Sequence, residues 1–391
     1  MPKKDKKRER GWKEKLAEKR AKHQRALEAH RIRIEKKLAE KRSQKQLKSI
    51  IISVVCLLVI ILCVCVAWRY IESPRVGSQE QGNSQQQTSQ PSSSMIYIWP
   101  NGSVDPATAP IVKVREGYYK FNDNINLPIV VLKDNIVIDG AGYSLTGGGT
   151  GGSTKGIDLS YRNNVTVTNL RIEGFDYAIY MSSTSQTTIT KSEFVNNYCA
   201  LWLTNSLQNK ITSNNISKNE FYAIWLKNST HNLIAENTLT SHFNYTIYLT
   251  RSNYNIIRSN IISKNHLGIF LYSSSNNTIS YNSIAENYKG IHLLNSTQNL
   301  ITMNDIAKNE IGIGFDESSN NKIYRNNFLN NTIPADVQNS INMWDYGGFG
   351  NYWSDYEQKN PDAKKLNDVW DKPYVIDENN EDNYPLTKPA S

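Results

Sequence analysis

From Thr168 to Ile323 the chain repeats itself, and few sequence features restrict a fold more tightly. The last apolar residue of successive units falls at Val167, Ile189, Ile211, Ile234, Ile257, Ile279, Ile301 and Ile323, at intervals of 22, 22, 23, 23, 22, 22 and 22 residues. A period of that length, carried by alternating β-branched residues without helical spacing, marks a solenoid.

Each unit holds three short apolar patches. One ends at the anchor just named. A second lies five residues later, at Ile172, Phe194, Ile216, Leu239, Ile262, Ile284, Ile306 and Phe328. The third is a pair spaced by two, such as Leu201/Leu203, Ile224/Leu226, Ile247/Leu249, Ile269/Leu271 and Ile291/Leu293. That spacing puts both side chains on one face of a strand. Three short strands per turn, stacked ~4.8 Å apart, bury these columns in a core that no single rung could form. The expected fold is therefore all-β, a parallel β-helix of ~22-residue rungs, right-handed by the preference of parallel crossovers.

Asparagines mark the corners. They recur three residues after the anchor (Asn214, Asn237, Asn260, Asn282, Asn304, Asn326), eight after it (Asn197, Asn219, Asn265, Asn287, Asn309, Asn331) and two before it (Asn209, Asn232, Asn255, Asn277, Asn299, Asn321). Asn tolerates left-handed backbone angles, and its amide can bond to its counterparts above and below, so both uses are expected here. Gly or Ala at 178, 200, 223, 268, 290 and 312 predicts a tight corner before the third strand.

The Asn-x-Ile-x-x-Asn rhythm with Gly-Ile-x-Leu resembles the NosD-type right-handed β-helix family, within a wider group of carbohydrate-binding and sugar-hydrolase solenoids. The tail adds to the likeness with Gly350-Asn351-Tyr352-Trp353-Ser354-Asp355-Tyr356, Lys372-Pro373-Tyr374-Val375-Ile376-Asp377 and Asp382-Asn383-Tyr384-Pro385-Leu386. Such tails are found in NosD-like surface proteins, archaeal ones among them. The resemblance spans about 96–388 and implies the fold, an extracytoplasmic location and a carbohydrate-related role. It also brings in copper delivery, which the histidines below do not support.

The remaining sequence is of another kind. Residues 49–68 are uncharged and mostly apolar. About 20 such residues at ~1.5 Å rise cross a ~30 Å hydrocarbon core, so this run reads as a single-pass anchor. Residues 1–48 hold 20 Lys+Arg against 7 Asp+Glu, whereas the rest holds 25 against 29. The formal charge of +9 thus belongs to one segment. It predicts a basic cytoplasmic helix drawn to anionic lipid, with the N-terminus inside. No nucleic-acid motif accompanies it. The Ser/Gln-rich residues 69–95 read as a flexible linker. Residues 96–339 are then the coil, and 340–391 an aromatic tail. A first rung is expected around Ile136, Ile138 and Leu145. The Gly-rich stretch 147–152 reads as an insertion, since it lacks the Lys-Ser/Thr ending of a phosphate loop. Cys199 stands alone outside the apolar run and can form no disulfide within the exterior part.

One column is not needed by the core. Between the inward pair of each third strand stand Tyr180, Trp202, Trp225, Tyr248, Phe270 and His292, with Gly314 ending the run. Alternation turns these rings outward, where a flat stripe at rung spacing suits the repeat of an extended glycan. The competing expectation is that the rings stack on one another or lie under Trp344, Tyr346, Phe349, Tyr352 and Trp353 of the tail. Hydrolysis would need paired carboxylates on one face. The acids, among them Asp158, Asp176, Asp316 and Glu317, fall in different columns, and no acid/base pair is expected. Copper prefers His, Met and Cys. Of His231, His242, His266 and His292, only His242 and His266 share a corner. Calcium needs six to eight oxygens. Asp362, Asp368 and Asp371 are weak candidate ligands in a stretch interrupted by lysines and Trp370. No other cofactor is indicated. Eight Asn-x-Ser/Thr sequons, at Asn101, Asn164, Asn215, Asn228, Asn244, Asn276, Asn295 and Asn330, are candidate glycosylation sites.

Taken together, these features predict a membrane-anchored extracytoplasmic solenoid whose aromatic stripe binds glycan or cell-envelope polymer without catalysis. The alternatives are a carbohydrate-active enzyme of lyase or hydrolase type, told apart by release of sugars, and a structural surface component, told apart by a covered stripe.

Overall fold

The structure is a computed structural model that describes residues 94–390. The basic segment, the apolar run and the linker up to residue 93 lie outside the described residues. Among the described residues no helix is long and apolar enough to cross a membrane. The chain winds as a three-faced parallel β-solenoid. Its A face has 12 strands running to Ile333–Gln338, its B face 11 running to Lys322–Tyr324, and its C face 10 closing on Tyr352–Trp353. The coil begins before the expected first rung. Ile96–Ile98 already pairs in parallel with Ile129–Val131, and Tyr118–Phe121 with Ile136–Asp139.

The predicted columns are the core. Ile189 pairs with Ile211, Phe194 with Ile216 and Leu201 with Ile224, and all six are fully buried. Where the interval lengthens to 23, the extra residue sits at the corner leading to the A face. Asn219 and Tyr222 are three apart there, as are His242 and Tyr245, against two for Asn197 and Cys199. A lengthened corner leaves the register of the flanking strands untouched. The small-residue column lies within the A-face strands rather than before them. A Cβ on Gly268 would stand 2.4 Å from the carbonyl oxygen of Gly290, so the close approach of rungs selects Gly or Ala. Thr246 breaks this rule, and its buried Oγ1 has no hydrogen-bond partner.

The three asparagine columns form continuous amide ladders. Asn260 Nδ2 donates to Asn282 Oδ1 at 2.9 Å, to Ile234 O at 3.0 Å and to Arg258 O at 3.1 Å, while its backbone N–H also reaches Asn282 Oδ1. Each ladder amide thus holds one or two corner carbonyls, as Asn237 and Asn260 do, and hands an acceptor to the preceding rung, which pairs the buried polar atoms of the corner. A fourth ladder, through Ser206, Ser229, Ser252, Ser274, Ser296, Ser318 and Ser340, links each hydroxyl to the N–H one rung earlier.

The second use expected of these asparagines does not hold. The left-handed residue is the one before the ladder position. Ser213, Lys218 and Gln208 have φ of 58°, 55° and 56°, and they precede Asn214, Asn219 and Asn209. Lys264, Glu286, Met303 and Arg325 fill equivalent places. Asn is selected for its amide, and the adjacent residue is held in the left-handed region by the corner whatever its type, at a cost of about 1 kcal/mol.

The asparagine ladder eight residues after the anchor has one defect. His242 occupies the rung between Asn219 and Asn265, buried, with Nε2 3.1 Å from Ile216 O and Nδ1 3.4 Å from Asn219 O. A neutral imidazole can donate to only one of these carbonyls. Burial pulls its pKa down to about 4 against the raising pull of both carbonyls.

The tail closes the ladders. Asn380 Oδ1 accepts from the N–H of Asn342, and Asp382 Oδ2 from the N–H of Asn351 at 2.7 Å and the indole of Trp353 at 2.9 Å. A carboxylate, which only accepts, suits a rung with nothing beyond it. Burial pushes the Asp382 carboxyl up to about 7, against the lowering effect of Asn351 N–H, the Trp353 indole and Tyr384 N–H. Trp344 packs on Phe315 and Phe328, while Trp353 stacks between Phe328 at 4.3 Å and Tyr374 at 4.1 Å. These rings seal the open end of the core.

Candidate functional site

Strand register brings the predicted stripe together. Tyr180, Trp202, Trp225, Tyr248, Phe270 and His292 pair in sequence along the A face, between Asp158 below and Gly314 and Asp336 above. The tail does not cover them. Tyr346 and Phe349 pack on Tyr324 and Arg325, while Trp344 and Trp353 lie in the core.

The rings are not presented flat. Trp225, Tyr248, Phe270 and His292 follow one another at 5.6, 5.2 and 5.2 Å, with planes 22°, 10° and 26° apart. Faces so spaced are spent on one another, and only the outer edges of the half-buried rings meet solvent, Phe270 being buried. The exception is between Trp202 and Trp225, where centroids 3.9 Å apart meet at 60°. The Trp225 indole donates to Thr250 Oγ1 at 3.2 Å, whereas Trp202 has Lys227 one rung below Thr250, and its Nε1 is buried without an acceptor.

A second aromatic column went unnoticed in the sequence. Tyr177, Tyr222 and Tyr245, at the start of the same strands, widen the face. Tyr222 lies 4.4 Å from Trp225 and 5.6 Å from Tyr245, stacked on both. The signal was available, since these residues stand three before the outward column, but the strands appear longer in the structure than the inward pair suggests.

Each end of the stripe is charged. Lys155 Nζ sits 3.9 Å over the Tyr180 ring and pairs with Asp158 at 2.6 Å. At the other end His292 Nε2 lies 2.9 Å from Asp316 Oδ2, a contact between neighbouring rungs that the sequence columns alone do not foretell. Asp316 lies one rung on and two residues along, and the ring reaches it because Gly314 is bare. A Cβ there would stand 3.2 Å from His292 Cδ2. Burial first lowers the His292 pKa and the Asp316 hydrogen bond works against it, with Lys289 lowering it further; the net shift is down. The ring is neutral at pH 7, and the carboxylate holds the proton on Nε2, which leaves Nδ1 as an acceptor.

The Gly-rich loop does cradle an anion, but it is the chain's own. Asp176 accepts from the N–H groups of Gly151, Gly152 and Thr154 and from the Thr154 hydroxyl. Burial would raise its pKa, and these donors outweigh burial and lower it. Asp362, Asp368 and Asp371 are not assembled. Asp371 Oδ1 accepts from Lys364 N–H and Asp368 pairs with Lys388. All eight sequon asparagines are exposed or half-exposed, and none belongs to a ladder.

The sequence profile described as "Periplasmic copper-binding protein (NosD)" matches residues 122–272 and 222–358. The chain belongs to the NosD family. No curated protein sequence matches it. Among solved structures, a mutant of the periplasmic alginate epimerase AlgG is 19% identical with a TM-score of 0.44, covering 59% of this chain and 68% of that one. A DFA-IIIase from Arthrobacter chlorophenolicus A6 without its lid is 12% identical, with a TM-score of 0.43 and coverage of 60% and 76%. A hyperthermoactive exopolygalacturonase from Thermotoga maritima is 10% identical, with a TM-score of 0.40 and coverage of 60% and 75%. None of these likenesses carries a function to this NosD-family chain.

The copper in the family's description finds no donor set among the described residues. Cys199 and Met181 are fully buried in the coil, and burial pushes the Cys199 thiol up, away from a metal-binding thiolate. His242 is turned inward to two carbonyls, whereas His266 on the same corner is exposed and stacked on Tyr288. Among the described residues no group of three or more His, Cys, Asp or Glu could hold a metal ion.

Proposed function

We propose that this chain is a membrane-anchored, extracytoplasmic solenoid that binds an extended glycan or cell-envelope polymer along its A face, without catalysis. The observation that carries this reading is the row of six rings, stacked except at the Trp202–Trp225 step, on a sheet face left uncovered by the tail. Stacking rigidifies the row and sets its repeat at the ~4.8 Å of the strands, close to that of sugar units in an extended chain. Ring edges carry the positive end of the quadrupole and meet hydroxyl oxygens, and the tilted Trp202–Trp225 junction is where a sugar ring finds an aromatic face. The family's periplasmic description supports the location, and the uncharged run 49–68 supports the anchor. The test is retention of the full-length chain on immobilised polysaccharides. Trp202→Ala/Trp225→Ala should abolish retention while the thermal transition persists, and undiminished retention would refute the reading.

A second reading, proton transfer on the bound polymer, is favoured by the His292–Asp316 pair alone. It requires that incubation with a polysaccharide release reducing or unsaturated ends, and that His292→Asn stop the release.

A further inference from the structure

An open cleft lies away from the aromatic face. It opens where the last B-face turn meets the tail, and its volume of about 720 Å³ is within the range that small ligands occupy, about 300–1,000 Å³. Its floor is the end of an amide ladder. Along that ladder each Asn Nδ2 donates to the next Oδ1, as Asn299 does to Asn321 and Asn321 to Asn342, both at 3.0 Å. The sequence of donors stops at Asn342. The next acceptor, Asn380 Oδ1, is taken by the Asn342 backbone N–H and by the Trp344 indole at 3.1 Å. Asn342 Nδ2 is left buried with no hydrogen-bond partner, on a side chain only 9% exposed that lines the cleft. Every preceding rung satisfies this group, so the break is local to the cleft.

We infer that this cleft binds a neutral, hydroxyl-rich ligand of one to three sugar rings, whose seating shifts the side chains over Asn342 Nδ2 so that a ligand oxygen accepts from it. Amides line its sides through Gln298 and Asn320 and can both donate and accept. Ile341 and Met343, 59% and 46% exposed, offer apolar surface for the carbon faces of a sugar. Charge argues against a polyanion, because Asp345 and Glu381 face the cleft against the single ammonium of Lys322. That ammonium is engaged 4.4 Å over the Tyr346 ring. The site is independent of the A-face reading, since it shares no residue with the stripe.

The test is calorimetric titration of the full-length chain in detergent with maltotriose, cellotriose, triacetylchitotriose and, as the anionic control, trigalacturonate. Saturable binding of at least one neutral trisaccharide, with none of trigalacturonate, is expected. Asn342→Asp keeps an acceptor for Asn321 and exchanges the idle donor for a carboxylate oxygen. It should weaken that binding at least about tenfold, by the roughly 1.4 kcal/mol that a tenfold change represents, while the far-ultraviolet signal of the coil stays that of the parent. Glu381→Gln, on the exposed rim, should admit trigalacturonate. Absence of binding by all three neutral probes, or equal affinity in Asn342→Asp, would overturn the inference. Trp202→Ala/Trp225→Ala should leave trisaccharide binding unchanged while retention on polymer is lost, so failure of either site is seen separately.

Discussion

The coil and its tail solve the same problem by opposite means. In the coil every rung presents its neighbour with an identical row of donors and acceptors, so that Asn237, Asn260, Asn282 and Asn304 have interchangeable surroundings. In the tail the same ladders must stop, and each is stopped differently. One ends on Asn380 with an idle amide left over, and another on the buried carboxylate of Asp382. Repetition makes the interior cheap to specify and moves the idiosyncratic chemistry to the boundary. The interruption of an interior ladder at His242 reproduces the boundary's situation in miniature, with a titratable group where an amide is expected.

The comparison can be broken most forcefully in the middle. Asn282→Leu should leave the N–H of Asn260 unpaired and take one donor each from the carbonyls of Ile257 and Ser280. At about 1–3 kcal/mol for the unpaired group and about 1 kcal/mol for each further bond, the loss should be on the order of 3–5 kcal/mol, read from the urea midpoint. If the tail were as cooperative as the coil, Asp382→Ala would cost the same. It should instead cost about 2–4 kcal/mol and appear as a separate early transition in the near-ultraviolet signal of Trp344 and Trp353.

Titration sharpens the contrast, because the two irregular groups act in opposite directions over one pH range. Asp382 has its carboxyl raised from 3.8 to about 7 by burial. The unfolded chain ionises first, so the stability of the tail should fall as pH rises from about 4 to about 7 and level off above. His242 has its pKa lowered from 6.5 to about 4. The unfolded chain binds the proton first, so the stability of the coil should fall as pH drops from about 6.5 to about 4. Thermal scans following the tail tryptophans and the far-ultraviolet signal separately should show these opposed slopes. Asp382→Asn should flatten the first and His242→Asn the second. His242→Asn should also mend the ladder and gain about 1–2 kcal/mol at pH 7. The smallest effect belongs to the left-handed corners, where Lys264→Asn should gain less than about 1 kcal/mol.

Legibility in the sequence follows the same division. The core columns, the ladder asparagines and the aromatic row were all readable because period converts directly into position. What escaped was whatever depends on a neighbouring rung or lies off the period. The left-handed residues are Asn more often than any other type, yet Lys, Glu, Met and Arg fill the same corners, so type alone does not mark them. The His292–Asp316 pair joins residues 24 apart, and the lean that brings them together is licensed by a bare Gly314 rather than by any motif. Asn380 and Asp382 continue ladders from 38 and 31 residues away, long after the 22-residue count has lapsed. The stripe was placed correctly, but the orientation of its rings was not, because alternation determines which side a ring leaves the sheet and says nothing of how its plane turns.

Because every ladder amide points its nitrogens toward the C-terminal end, the molecule has a direction as well as a length. Duplicating or deleting a rung would shift the tail by one strand spacing and leave every other contact as it was, so the coil works as a ruler graduated in whole turns. Only the graduation at the end would have to be redrawn.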